Sequence, residues 1–227
     1  MIPNLNNSDD NTVNMGSSYT VSAAKPFDTF NKSASSSIVI PESKFYKVSF
    51  EEFCKEASKC LDIKDEERLK TIYDNIKLPR RSTMWSAGYD FYCPFDLHIS
   101  AQESITIPTG IKCKMVPQFF LGILPRSSYG FKYNMTLDNT VGIIDCDYYN
   151  NESNEGHIMV KITCGLKKKS LLDNILFFTK KRKNKIYSME IEKGDRFCQG
   201  ILLLYGTTVD DCPGKDERTG GIGSTGN

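Results

Sequence analysis

Residues 105–114 read ITIPTGIKCK, a pattern typical of two short β-strands joined by a turn. Isoleucine alternates with threonine in the first half, and the Pro-Thr-Gly triplet supplies the turn. Further short apolar or alternating runs lie at residues 119–124, 158–164 and 201–205. Many short strands with glycine and proline between them, and no long helix, predict an all-β fold, either a barrel or a sandwich.

Two short helices are predicted ahead of these strands. Ser49 and Glu52 fit a capping box at the start of the first helix, and Asp65 fits the N-cap of the second, which must end before Pro79. The apolar residues at helical spacing are Phe50, Phe53 and Ala57, then Leu69, Ile72 and Ile76. We expect the pair to pack on the β-domain, and the alternative is an arm that binds a partner.

Two other segments differ from the rest of the chain in composition. Residues 1–40 contain eight Ser, six Asn and five charged residues, which predicts a disordered tail. Residues 165–188 carry eight Lys or Arg and one Asp, a local charge of +7 in a chain of net charge +1. We interpret this block as a solvated insertion between strands. A nuclear import signal, or a site for anionic lipid, nucleic acid or another unknown partner, is the alternative.

The overall composition excludes several classes of protein. The chain has 227 residues, 39% of them hydrophobic, which is enough for one core. Its 29 basic and 28 acidic side chains argue against nucleic acid as the substrate. No apolar run is long enough to span a membrane, and no secretory signal is evident. The eight cysteines contain no C-x-x-C pair, so we expect free thiols in an intracellular protein, cytoplasmic or nuclear.

Chemically useful side chains occur in five short motifs. An arginine and two hydroxyls after a strand can form a phosphate cradle, and the segment 139–148 predicts a hairpin with an acid and an aromatic ring three residues apart. The motifs are Ala87-Gly88-Tyr89-Asp90, Pro125-Arg126-Ser127-Ser128, Gly142-Ile143-Ile144-Asp145 with Tyr148, Gly194-Asp195-Arg196 with Gln199, and Arg218-Thr219-Gly220-Gly221-Ile222-Gly223-Ser224-Thr225-Gly226.

In this order the motifs resemble those of the trimeric dUTPase (deoxyuridine 5′-triphosphate nucleotidohydrolase) family, from about residue 79 to the end of the sequence. The segment Asn154-Glu155-Gly156-His157-Ile158 is similar to bacterial and large-virus members. The resemblance implies a jelly-roll-like β-barrel with a short helical N-terminal extension, assembled as a homotrimer with shared active sites. We therefore divide the chain into a tail (1–40), a helical extension (41–80), a β-barrel (81–217) with the basic insertion, and a flexible glycine-rich arm (218–227).

The resemblance also implies the reaction, which is Mg²⁺-assisted hydrolysis of dUTP to dUMP and pyrophosphate. This reaction limits the incorporation of uracil into DNA. Asp145 would orient the attacking water and Tyr148 would pack beneath the deoxyribose, leaving no space for a 2′-hydroxyl. The uracil edge would be bound by Asn139, Gly142, Ile143 and Ile144. The phosphates would be held by Arg126, Ser127, Ser128, Gln199 and, from the arm, Arg218, Gly223, Ser224 and Thr225. Asp90 would either hold a magnesium-bound water or pair with Arg196.

One departure from the family pattern keeps other functions open. Ile222 stands where the family has an aromatic residue that stacks on uracil, so we expect an active enzyme with a weaker lid. A catalytically weak dUTPase-like binding or regulatory protein is one alternative. A dCTP deaminase is another, although residues 158–163 contain no Glu to serve as its catalytic acid.

Overall fold

The computed structural model describes residues 13–15, 19–21, 42–165 and 187–213. The chain divides into two compact units, residues 1–39 and 40–227. In the first unit, strands β1 (Val13–Met15) and β2 (Tyr19–Val21) pair antiparallel. Only these six residues of the first 40 are described, so the disordered tail stays a prediction. Valine, threonine and tyrosine favour strands locally, even within a polar segment.

The first helix of the second unit, α1 (Phe50–Leu61), begins at the predicted cap. The Ser49 side chain accepts a hydrogen bond from the Glu52 amide at 3.1 Å. The Ser49 amide, however, donates to Glu155 at 3.0 Å instead of to Glu52, so the capping box is only half formed. The apolar face of α1 packs into the core through Phe53, which is fully buried.

The second helix, α2 (Glu66–Asp74), follows the predicted cap Asp65, whose side chain accepts from the Arg68 amide at 3.0 Å. The helix ends before Ile76, which the sequence places on it, because Asn75 leaves the helical conformation as its C-cap. Ile76 still packs against the core from the loop that follows.

The rest of the second unit consists mainly of short strands. In chain order they are β3 (Lys44–Lys47), β4 (Arg80–Arg81), β5 (Tyr89–Tyr92), β6 (Leu97–Ser100), β7 (Ser104–Pro108), β8 (Ile111–Lys114), β9 (Phe119–Pro125), β10 (Thr136–Leu137), β11 (Gly142–Ile144), β12 (Met159–Thr163), β13 (Ser188–Ile191) and β14 (Arg196–Leu204). A short helix, α3 (Ser127–Tyr133), follows β9, and a 3₁₀ turn covers Cys146–Tyr148.

These strands form several antiparallel sheets around one core. One sheet has five strands in the order β11-β9-β14-β5-β4 and another has three in the order β10-β12-β7, while β13 pairs with β6 and β3 with β8. The jelly-roll-like all-β fold with a short helical extension is confirmed. Among the described residues the pairing stays in separate sheets and does not close into one barrel.

The Pro-Thr-Gly turn at residues 108–110 connects two sheets. β7 and β8 are strands as predicted, but β7 pairs with β12 and β8 with β3. Between them Gly110 has φ +71°, and a Cβ there would lie 2.4 Å from Cδ1 of Ile76. Only glycine fits both the conformation and the space, so this turn sets the approach of the extension to the sheets.

The helical extension is packed on the β-domain, as expected. Strand β3 belongs to it and pairs with β8, and four buried side chains of its helices share the core cluster with the strands: Phe53, Ala57, Leu69 and Ile72. Residues 166–186 of the basic insertion and 214–227, which include the arm, lie outside the described residues. None of the described helices is long and apolar enough to cross a membrane.

Candidate active site

A small cavity of about 130 Å³ lies between β9, β11 and β12. Its lining includes all five residues predicted to hold the nucleobase and sugar, which are Asn139, Gly142, Ile143, Ile144 and Tyr148. The remaining lining residues are Ile123, Leu137, Met159, Val160 and Lys161. The cavity therefore combines an apolar floor with backbone and amide groups at one edge, as small-molecule sites do.

The segment 139–148 shapes this cavity without forming the predicted hairpin. β11 pairs with β9 in the neighbouring sheet, and the residues after it turn into the 3₁₀ element. The hairpin prediction is wrong because β11 takes its partner from outside the segment, and the chain leaves the strand at Asp145, which has φ −76° and ψ 160°. Asp145 is exposed and directly follows Ile144, which lines the cavity.

The side chain of Tyr148 is fixed at both sides of its hydroxyl. It is only 3% exposed, and its hydroxyl donates to the His157 carbonyl at 3.1 Å. The same oxygen accepts a hydrogen bond from Asn154 Nδ2 at 2.7 Å. The ring therefore presents a rigid apolar surface to the cavity rather than a free polar group.

Cys146 lies between Asp145 and Tyr148 in sequence, and we assign its thiol no role in the site. Burial and then the Asp147 carboxylate raise the pKa of its thiol, so it stays protonated near neutral pH. All eight cysteines lie in described segments and all are free thiols.

A second group of predicted residues surrounds Asp90, a buried carboxylate on β5. Asp90 Oδ1 lies 3.4 Å from Arg126 Nε, and Oδ2 lies 3.4 Å from Arg196 Nη1. The Ser82 hydroxyl donates to Oδ2 and accepts from Arg196 Nη1 at 2.8 Å. The predicted pair of Asp90 with Arg196 is present, and Arg126, which the sequence assigned only to phosphate, also contacts Asp90.

Strand pairing explains this convergence. β14 lies between β5 and β9, with Gln199 opposite Asp90 and Cys198 opposite Pro125. Arg126 directly follows Pro125, so it emerges beside Asp90. Gln199 also packs on Gly88, where a Cβ would lie 2.5 Å from its Oε1.

Ser127 and Ser128 are exposed in the first turn of α3. The helix is tied to the β14 end of the site by Tyr129, whose hydroxyl donates to Asp195 Oδ2 at 2.6 Å. An anion bound by Arg126 would therefore also lie near the exposed hydroxyl groups of Ser127 and Ser128, in a helix that Tyr129 holds in place.

The two groups lie far apart within one chain. Ile144 lies opposite Leu121, so Asp145 lies level with Phe120, while Arg126 follows the other end of the same strand. At about 3.3 Å per residue, this register separates Asp145 from Arg126 by roughly 20 Å. Arg218, Ile222, Gly223, Ser224 and Thr225 lie outside the described residues.

Four residues that contact and support the candidate site residues, or one another, were not assigned to the site from the sequence. They are Ser82, Glu52, Asn154 and His157. Asn154 and His157 belong to a segment that the sequence does mark, but a hydrogen bond to Tyr148 leaves no periodic pattern. Only burial of polar residues such as His157, which is 0% exposed, reveals their role.

Comparison with known proteins relates the chain to one family. A family model described as dUTPase matches residues 74–169. The deoxyuridine 5′-triphosphate nucleotidohydrolase of Lactococcus lactis subsp. lactis is 38% identical over 159 residues, which cover 69% of this chain and 93% of that protein. The fowlpox virus enzyme of the same name is 31% identical over 169 residues, 71% and 98% of the two chains.

Among solved structures, the dUTPase from Streptococcus mutans is 29% identical. It covers 72% of this chain and 97% of its own, with a TM-score of 0.49. The identity and coverage of the Lactococcus protein decide the assignment. The chain belongs to the dUTPase family.

Proposed function

We propose that the protein is a dUTP diphosphatase, which hydrolyses dUTP to dUMP and pyrophosphate. One observation carries the proposal: Asn139 and four residues of the third motif line a single cavity, and Asp145, exposed, directly follows the lining residue Ile144. Membership of the dUTPase family supports the same substrate.

Base selection belongs to the cavity edge formed by Asn139 and the backbone of β11. Backbone N–H and C=O groups in a strand have fixed directions, so they match the donors and acceptors of uracil and mismatch those of cytosine. A mismatch leaves buried polar groups unpaired, which is strongly unfavourable. Tyr148 closes the cavity beneath the sugar and excludes a 2′-hydroxyl by volume.

The hydrolytic step uses Asp145 as general base and positioning group for water. Its carboxylate takes a proton from the water as the water oxygen forms a bond to the α-phosphorus. The bond from the α-phosphorus to the oxygen that bridges to the β-phosphate breaks, and pyrophosphate leaves with the electron pair. An exposed carboxylate beside the sugar end of the cavity is suited to this task.

The leaving pyrophosphate is held by the Arg126 group. Arg126 offers its outer nitrogens because Nε faces Asp90, and the hydroxyls of Ser127 and Ser128 and the Gln199 amide complete the cradle. Asp90 thus orients the arginine that binds phosphate.

Mg²⁺ fits this site as an ion carried mainly by the triphosphate. The described residues contain no cluster of three or more His, Cys, Asp or Glu that could hold a metal. Mg²⁺ commonly binds substrate phosphates, one or two carboxylates and water, and it neutralises phosphate charge. Asp90 already faces two arginines and Ser82, so it would reach the ion through a water.

The separation of roughly 20 Å between Asp145 and Arg126 along β9 supports an assembled site. A water positioned by Asp145 and a phosphate bound by Arg126 must lie within a few ångströms of each other. We infer that one copy supplies the cavity and Asp145 and another supplies the Arg126 group. A homotrimer, with the glycine-rich arm closing over the nucleotide, satisfies this requirement.

The competing deamination of dCTP has little support in the cavity. The lining residues include Lys161, whose Nζ lies 2.9 Å from Asp138 Oδ2, and no Glu. Free cysteines and action on a nucleotide pool favour an intracellular location. The basic insertion remains a candidate site for an unknown partner.

Release of pyrophosphate from dUTP tests the proposal. We expect turnover by the wild type, loss of several orders of magnitude in kcat for Asp145→Asn, and no ammonia from dCTP. Binding of dUTP without turnover by the wild type would favour a binding protein, and ammonia release would favour a deaminase.

A further inference from the structure

Helix α1 contacts the 150–157 segment, which follows Tyr148 in the chain, at three points. The Ser49 amide donates to Glu155 Oε2 at 3.0 Å, and Lys55 Nζ donates to the Ser153 carbonyl at 2.9 Å. The third contact joins Glu52 to His157. The extension therefore holds a segment that borders the proposed sugar site.

The Glu52–His157 contact is buried and specific. His157 Nε2 accepts a hydrogen bond from the Gly110 amide at 2.8 Å, so the ring proton belongs on Nδ1. Nδ1 lies 3.5 Å from Glu52 Oε1, a charge–dipole contact longer than a normal hydrogen bond, and neither atom has a hydrogen-bond partner among the described residues. Glu52 Oε2 in turn accepts from Lys55 at 2.9 Å.

His157 passes this constraint to Tyr148 through the backbone. Its carbonyl accepts the Tyr148 hydroxyl, and Asn154 of the same segment donates to that hydroxyl. Gly156, between them, has φ +77°, and a Cβ there would lie 2.5 Å from the Tyr148 carbonyl oxygen. The segment is thus seated directly on Tyr148 and cannot shift without moving it.

Such a pair is not needed for core stability alone. A buried carboxylate is costly to desolvate, and apolar side chains of similar size commonly replace buried polar pairs without loss of stability. An apolar pair cannot supply a directed polar contact that fixes the position of the Tyr148 ring relative to the cavity.

We propose that Glu52 and His157 are positioning residues. Through them, helix α1 holds the Tyr148 ring at the position in the cavity where it leaves no space for a 2′-hydroxyl. The N-terminal extension then sets sugar specificity. This inference rests on the proposed function, because it assumes that deoxyuridine triphosphate occupies the cavity.

The test is the ratio of kcat/KM for dUTP to kcat/KM for UTP. Glu52→Ala should lower this ratio by about tenfold, mainly through a higher KM for dUTP and gained turnover of UTP. Glu52→Gln, which retains an acceptor for Nδ1, should recover most of the ratio. A role in stability alone would change kcat/KM for dUTP and kcat/KM for UTP by the same factor.

Two controls separate positioning from loss of stability. Glu51→Ala removes the same charge from the same turn at an exposed position, and Leu69→Ala removes core packing from α2. Both should keep the ratio within about twofold of wild type, whatever their melting temperatures. An equal fall of the ratio in Leu69→Ala would overturn the inference.

A second variant covers the case in which Glu52→Ala does not fold. Asn154→Ala removes the other hydrogen bond to the Tyr148 hydroxyl and should lower the same ratio. An unchanged ratio in folded Glu52→Ala, or in Asn154→Ala if the former is unfolded, contradicts the inference. Absence of dUTP turnover by the wild type would instead contradict the proposed function.

Discussion

Arg126 Nε lies 3.4 Å from Oδ1 of the buried carboxylate of Asp90, so the arginine that we propose to bind phosphate is oriented by the first motif. Asp90→Asn removes the charge that faces both Arg126 and Arg196. We expect kcat/KM for dUTP to fall by about 10²- to 10³-fold, because the Arg126 guanidinium loses the carboxylate that orients it and is then misplaced relative to the phosphates. Steady-state pyrophosphate release measures it.

Ser82→Ala is the matched control for that variant. It removes the hydroxyl between Asp90 and Arg196 but leaves both ion pairs in place. A loss of only a few fold is expected. If Ser82→Ala were as damaging as Asp90→Asn, the hydroxyl rather than the ion pair would be the essential group.

The caps of α1 and α2 could be predicted from sequence because capping involves residues three apart. The partner of the Ser49 amide could not, since Glu155 lies 106 residues away in the chain. The Asp90–Arg126 contact likewise depends on β5 and β9 both pairing with β14. Motifs therefore predict candidate site residues, whereas tertiary pairing decides which of them meet.

Gly156 is expected to be intolerant of a side chain. With φ +77° and the Tyr148 carbonyl 2.5 Å from the Cβ position, Gly156→Ala should lower the free energy of unfolding by about 2 kcal/mol or more. Urea denaturation measures this change. Gly206→Ala, where no atom lies within 4 Å of the Cβ position, should leave it nearly unchanged. Equal stability of the two variants would argue that the 150–157 segment is not seated on Tyr148.

Acid should loosen the contact between α1 and the 150–157 segment. Burial raises the pKa values of Glu52 and Glu155, but the nearby His157 and Lys55 lower the pKa of Glu52, and hydrogen bonds from Ser49 and Lys112 lower that of Glu155. These effects outweigh burial and leave both pKa values below the usual 4.5. A carboxyl whose pKa is lower in the folded state stabilises the fold above its unfolded pKa. That contribution is lost as the pH falls through the folded value.

Denaturation at a series of pH values from neutrality to below 4.5, the usual glutamate value, measures this loss of stability. Glu155→Gln should flatten the decline, because the amide no longer titrates. Glu51→Gln, in the same turn as Glu52, should leave the decline as in the wild type. A decline that is unchanged in Glu155→Gln would show that other groups control acid unfolding.

Ile222 offers a gain-of-function test. The family has a stacking aromatic at this position of the arm, and base–aromatic stacking contributes about 1–3 kcal/mol. Ile222→Phe should therefore raise kcat/KM for dUTP by about tenfold. Thr219→Ser, a conservative change in the same arm, is the control and should leave kcat/KM for dUTP as in the wild type. No increase in Ile222→Phe would mean that residue 222 does not reach the base.

The central claim is that dUTP hydrolysis needs Asp145 from one copy and Arg126 from another. Asp145→Asn and Arg126→Ala should each be nearly inactive alone. Co-expressed in equal amounts, they should recover about a quarter of wild-type kcat, since random assembly supplies both intact residues at one site in four. A mixed preparation as inactive as either variant alone, in oligomers shown to contain both chains, would contradict the shared site.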